Sequence, residues 1–131
     1  MAVASDGLVL PFKAGADQSS NATKIVKIGA ADQTVILAAG STVAIIGVLQ
    51  EASVGGSGST VGVQVSGIGR VTLGGTVTRG DTVTSDAAGL AVTQATPAAA
   101  TDPYILGIAL ASGAVNEVIP VLLMPGRWIG G

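Results

Sequence analysis

The chain has 131 residues, of which 48% are hydrophobic and 11% charged, with a net charge of −2. That is one domain's length with enough apolar material for a core, and the sparse, nearly balanced charge argues against a nucleic-acid surface or a polybasic membrane anchor. There is no His and no Cys, which excludes Ser-His-Asp and Cys-His nucleophiles, thiolate zinc sites, iron–sulfur clusters and disulfides.

In chain order, residues 1–22 read as an extended arm, because Pro11 and the polar run Asp17-Gln18-Ser19-Ser20-Asn21 break any periodicity. The arm has no basic run ahead of its apolar stretch, so it is not read as a secretory signal. Residues 23–126 read as the folded body and 127–131 as a tail. Val, Ile and Thr dominate the body, and these β-branched residues suit a pleated sheet. Lys24 to Ile28 reads as the first strand, and Val35 to Leu37 follows. Val43 to Gln50 is apolar on both sides and reads as a buried strand. The charge-free run from Gln33 to Gln50 approaches a membrane span in length, but Gln33, Thr34, Gly40, Ser41, Thr42, Gly47 and Gln50 divide it into two strands and a turn.

Gly55 to Thr60 (GGSGST) reads as a hairpin tip. Val61, Val63 and Val65 then alternate with Gly62, Gln64 and Ser66, the period of a strand with one face buried and one wet. Gly67 to Arg70 reads as a glycine turn before Val71 to Leu73. Short strands are expected around Thr76–Thr78 and Thr82–Thr84, then a tight turn at Asp86-Ala87-Ala88-Gly89 and a strand from Leu90 to Thr93. Gln94 to Asp102 reads as a loop. Tyr104 to Leu110 and Val115 to Met124 are the closing strands, with Val121 to Met124 apolar on both faces and expected to be central. Many short strands with turns between them indicate an all-β barrel or sandwich-like body.

Motifs that carry chemistry are weak. Arg79-Gly80-Asp81 spells an adhesion tripeptide, but Gly-Asp is ordinary turn chemistry. The Gly-rich tip lacks the Lys and the following helix that a phosphate cradle needs. Asp81, Asp86 and Asp102 lack the spacing of an EF-hand. Nothing in the sequence brings two catalytic groups together, so no catalytic residue, cofactor or metal is expected. The three aromatics, Phe12, Tyr104 and Trp128, are too few for a base-stacking platform. Two of them lie near the chain ends, where large aromatics often anchor partners.

From Val43 onward the chain resembles the capsid cement, or head decoration, proteins of tailed bacteriophages. The resemblance rests on ordered pieces: GVLQEA (Gly47 to Ala52), VGVQVSGIGRV (Val61 to Val71), GGTVTRGDTVTSDAAGLAV (Gly74 to Val92), YILGIAL (Tyr104 to Leu110) and VIPVLLMPG (Val118 to Gly126). It implies a β-barrel-like body on the outside of an icosahedral head, made in the host cytoplasm. It further implies homotrimers at three-fold and quasi-three-fold positions, clamping the major capsid protein after expansion, with no role for nucleic acid or membrane. Other virion β domains, such as a fibre base or a tail-associated domain, and a small receptor- or carbohydrate-binding module are the alternatives.

The expected interface residues are Leu8, Val9, Leu10, Pro11 and Phe12 in the arm and Arg127, Trp128 and Ile129 in the tail. The arm is expected to add a strand to a neighbour, so that deleting residues 1–20 would leave the body folded.

Overall fold

Strands β2 (Ile25–Ile28) and β4 (Ile45–Leu49) bury both of their faces, and this double burial organises the molecule. The computed structural model describes residues 7–16, 21–50, 57–95 and 102–128. Val26 and Leu49 point into one apolar cluster with Ala14, Val35, Val61 and Val63. Their chain neighbours Ile25 and Val48 point the opposite way, into a second cluster with Val71, Leu73, Val83, Leu106 and Val121. All four side chains are fully buried. Burying each such side chain contributes about 1.5–3 kcal/mol.

The first cluster fills a closed barrel. Its strands are β1 (Val9–Ala14), β2, β3 (Thr34–Leu37), β4 and β5 (Thr60–Gln64), in the order β1-β3-β2-β4-β5. β1 runs parallel to β3 and antiparallel to β5. The charge-free run is thus β3, a turn and β4, as its polar interruptions predict. No helix among the described residues is long and apolar enough to cross a membrane.

The second cluster lies between the barrel and a five-stranded sheet. That sheet comprises β6 (Gly67–Thr72), β7 (Thr82–Ser85), β8 (Ala91–Thr93), β9 (Tyr104–Ala109) and β10 (Val118–Arg127), ordered β6-β10-β9-β7-β8. Its two edge strands approach one another. Leu73, just past β6, bridges to Ala91 at the start of β8, and the Gly74 N–H donates to the Ala91 carbonyl at 2.8 Å. The curled sheet therefore covers part of its own edge, which limits unwanted strand addition there.

Three expectations need correction. The segment read as an arm supplies β1, a wall of the chain's own barrel. Leu10, Phe12 and Ala14 alternate with Val9, Pro11 and Lys13, and Phe12 packs on the barrel core. Pro11 is tolerated because β1 pairs with β3 only at Lys13 and Ala14, so the Pro11 side is an open edge. Second, Gly67 to Arg70 is not a turn but the first part of β6, which pairs along its length with β10. Third, Thr76–Thr78 forms no strand; Val77 makes an isolated bridge to Gly113.

The turn at Asp86 forms as expected. The Asp86 carboxylate accepts from the N–H groups of Ala88 and Leu90 at 2.8 and 2.9 Å, and Gly89 takes φ +76°, a conformation glycine adopts without strain. The Gly-rich tip lies partly outside the described residues, and Thr60 at its end already belongs to β5.

Candidate interaction surface

Asp81, Asp86 and Asp102, the acids singled out in the sequence, are each engaged by neighbouring groups rather than gathered. Asp81 Oδ2 accepts from the Thr78 N–H at 3.0 Å and from the Thr93 hydroxyl at 2.9 Å. The Arg79-Gly80-Asp81 tripeptide is therefore a turn whose acid holds the turn together. Asp86 caps its own turn, and Asp102 lies 4.0 Å from Arg127. Among the described residues no three His, Cys, Asp or Glu side chains come together as a metal site would require. A recess of about 350 Å³ lies at the end of the barrel beside Lys13, Ala30, Ala31, Thr34 and Ile36. It lacks the convergent polar groups that orient a small molecule.

The tail residues fold onto their own sheet. Arg127 is the last residue of β10 and pairs with Tyr104. Its guanidinium stands 5.2 Å from the centre of the Tyr104 ring and faces Asp102. Both charged side chains are substantially exposed, 53% and 32%, so the pair contributes less than about 1 kcal/mol. The Trp128 N–H donates to the Pro103 carbonyl at 2.8 Å, and its side chain is half-buried. Ile129 lies outside the described residues. Leu8, just before β1, and Val9 and Pro11 within it remain exposed, whereas Leu10 and Phe12 are half-buried.

The surface that sequence reading missed lies on the outer face of the second sheet. Val121 and Leu123 are buried, while Val118, Leu122 and Met124 on the opposite side of β10 are 43%, 37% and 44% exposed. The register places Leu122 between Ile68 of β6 and Ile108 of β9, so an apolar row crosses three strands. Ile68 is 53% exposed. Arg70 pairs with Pro120 in the next row and is an exposed cation amid this face. Strand β10 is central, as its apolar sequence predicts, but only one of its faces meets a core. The signal was present in the sequence: a strand apolar on both faces has a second face that needs a cover.

This architecture recurs among solved structures. The head fiber gp8.5 N base of bacteriophage phi29 aligns with 89% of this chain and 95% of that one, at a TM-score of 0.69 and 18% sequence identity.

The two proteins share a fold.

At that identity the likeness is one of backbone architecture. No protein-family model matches the chain, and no curated protein matches it.

Proposed function

We propose that this chain is a structural protein of a bacteriophage virion, a cement protein that sits on the outside of the head and clamps neighbouring major capsid protein subunits after expansion. The observation that supports a virion role is the fold shared over nearly the whole chain with the phi29 head fiber base; the cement role rests on the sequence pieces. The ordered sequence pieces that resemble head decoration proteins point to the same part of the virion.

The physical chemistry fits that role. Asp81 and Asp86 hold turns and Asp102 faces Arg127, which suits a chain that acts by binding. Its exposed apolar groups, Leu8 and Val9 at the barrel and Ile68, Val118, Leu122 and Met124 on the second sheet, offer area to bury against neighbours. Many symmetric copies, each bound modestly, clamp a shell cooperatively. Homotrimers at three-fold and quasi-three-fold positions complete this reading.

A fibre base is the second reading, favoured by the phi29 likeness itself. The two differ in copy number, because a cement protein covers the shell and a fibre base occupies few sites. Electron microscopy of virions labelled with an antibody to the folded chain tests the proposal. Dense label over the whole head is expected. Label confined to the tail overturns the head reading, and sparse label at separate points on the head replaces cementing with a fibre base.

A further inference from the structure

The molecule carries two exposed surfaces that complement each other and cannot meet within one chain. The first is the outer face of the second sheet, where Ile68 and Leu122 stand in register beside Arg70. Arg70 has no carboxylate or other hydrogen-bonding partner among the described residues. An unpaired cation in an apolar field invites an anion set among apolar groups.

The second surface is the tip between β2 and β3. Ile28 is 44% exposed, and Ala30, Ala31 and Asp32 are exposed beside it. The tip is held firmly. The Gly29 N–H donates to the Thr34 carbonyl at 2.8 Å, the Thr34 hydroxyl donates to the Ala31 carbonyl at 2.7 Å, and Gln33 takes φ +55°. Asp32 has no partner among the described residues. Lys13 borders the recess next to Ala30 and Ala31 but makes no ion pair with Asp32. The tip is thus a small apolar knob carrying one free anion.

Geometry keeps the two apart within a chain. Ile25 and Val48 of the barrel occupy the inner side of the second sheet, so the face with Ile68, Arg70 and Leu122 looks away from the barrel. Two copies meeting face to face about a two-fold axis would bring Arg70 towards Arg70, which like-charge repulsion disfavours. A head-to-tail contact instead sets Asp32 of one copy against Arg70 of the next and covers both apolar surfaces.

We infer that copies of this chain associate head to tail, the β2–β3 tip of one seating on the outer sheet face of its neighbour, with Asp32 opposite Arg70. This deepens the virion reading and rests on it only for where assembly takes place. Such a heterologous contact closes into a ring when its rotation allows, and otherwise extends as a filament.

The test is sedimentation velocity on purified wild-type protein, Arg70→Glu, Asp32→Arg and the double variant, over a range of concentrations, with circular dichroism to establish that each is folded. Both positions are exposed, so folding is expected to survive. Wild type should self-associate, each single variant should weaken association by about tenfold or more, and the double swap should restore most of it. A wild type that stays monomeric overturns the inference, as do single variants that associate like wild type. A double variant no tighter than the singles overturns it as well. Binding of wild type to phage heads is read separately, so a monomer that still binds heads removes the head-to-tail contact and leaves the virion reading standing.

Discussion

The side-chain amide of Gln64 donates to the main-chain carbonyl of Ile68 at 2.9 Å, joining the last strand of the barrel to the first strand of the second sheet. The same amide nitrogen donates to the Ser66 carbonyl at 2.9 Å, and its oxygen accepts from Gln50. Gln64 is 4% exposed, so these bonds replace water that the site excludes. A second tie lies at the far end of β6, where the Thr72 N–H donates to the Thr23 carbonyl at 2.9 Å and the two hydroxyls meet at 2.6 Å. The barrel and the second sheet are therefore fastened at both ends of β6 as well as through their shared apolar cluster.

Replacing Gln64 with Leu removes these bonds and leaves the Ile68 and Ser66 carbonyls and the Gln50 amide without that partner. The expected loss of stability is about 1–3 kcal/mol, read as a lower midpoint in urea with an unchanged slope. A change below about 0.5 kcal/mol, the range of an ordinary surface substitution, would show that the corner is held by packing alone.

Removal of residues 1–14 takes out β1 and exposes the edges of β3 and β5. The Ala14 N–H donates to the Ser59 carbonyl and its carbonyl accepts from Gly58, both within 2.8 Å, so the strand is built into the barrel at several points. The truncated chain is expected to lose its cooperative unfolding transition and to aggregate through the opened edges. A soluble truncation with native circular dichroism and a sharp transition would contradict the closed barrel.

Gly107 packs without a side chain against β10. A Cβ there would stand 1.9 Å from the Leu122 carbonyl oxygen, a backbone atom that cannot move without breaking the β9–β10 pairing. Gly107→Ala is expected to destabilise the protein by about 3 kcal/mol. Gly40→Ser is the control at an open position, since nothing lies within 4 Å of its Cβ, although φ +143° there carries some strain of its own. Thermal unfolding of the two variants measures the difference, and an equal loss in both would contradict the packing account.

The all-β fold was legible because period-2 alternation and turn chemistry are local. Val61 and Val63 alternate as written and are buried, and Asp86 to Gly89 forms the turn its residues demand. β1 was harder to see. Its inward residues Leu10, Phe12 and Ala14 also alternate, but Pro11 reads as a breaker when its partner strand is unknown, and the glycines of β6 read as a turn for the same reason. Pairing decides both cases, and pairing is not local. The alternation at Val61–Ser66 also misplaced Gln64, which reads as wet but is buried because the chain turns a corner over it. The exposure of β10's outer face was not legible, because a sequence shows that a strand is apolar on both sides, not whether the second side has a cover. The expected arm and tail interfaces rested on position near the chain ends. Residue by residue, Phe12 is partly spent on the chain's own core and Arg127 on its own β9, while Leu8 and Val9 stay exposed.

The central claim is that this chain binds the outside of a phage head. Co-sedimentation of the purified protein with bare heads of its parent phage, before and after expansion, tests it most directly. The account predicts saturable binding to expanded heads near one copy per major capsid protein subunit, with weaker binding to unexpanded heads. Absence of binding to both forms would contradict it.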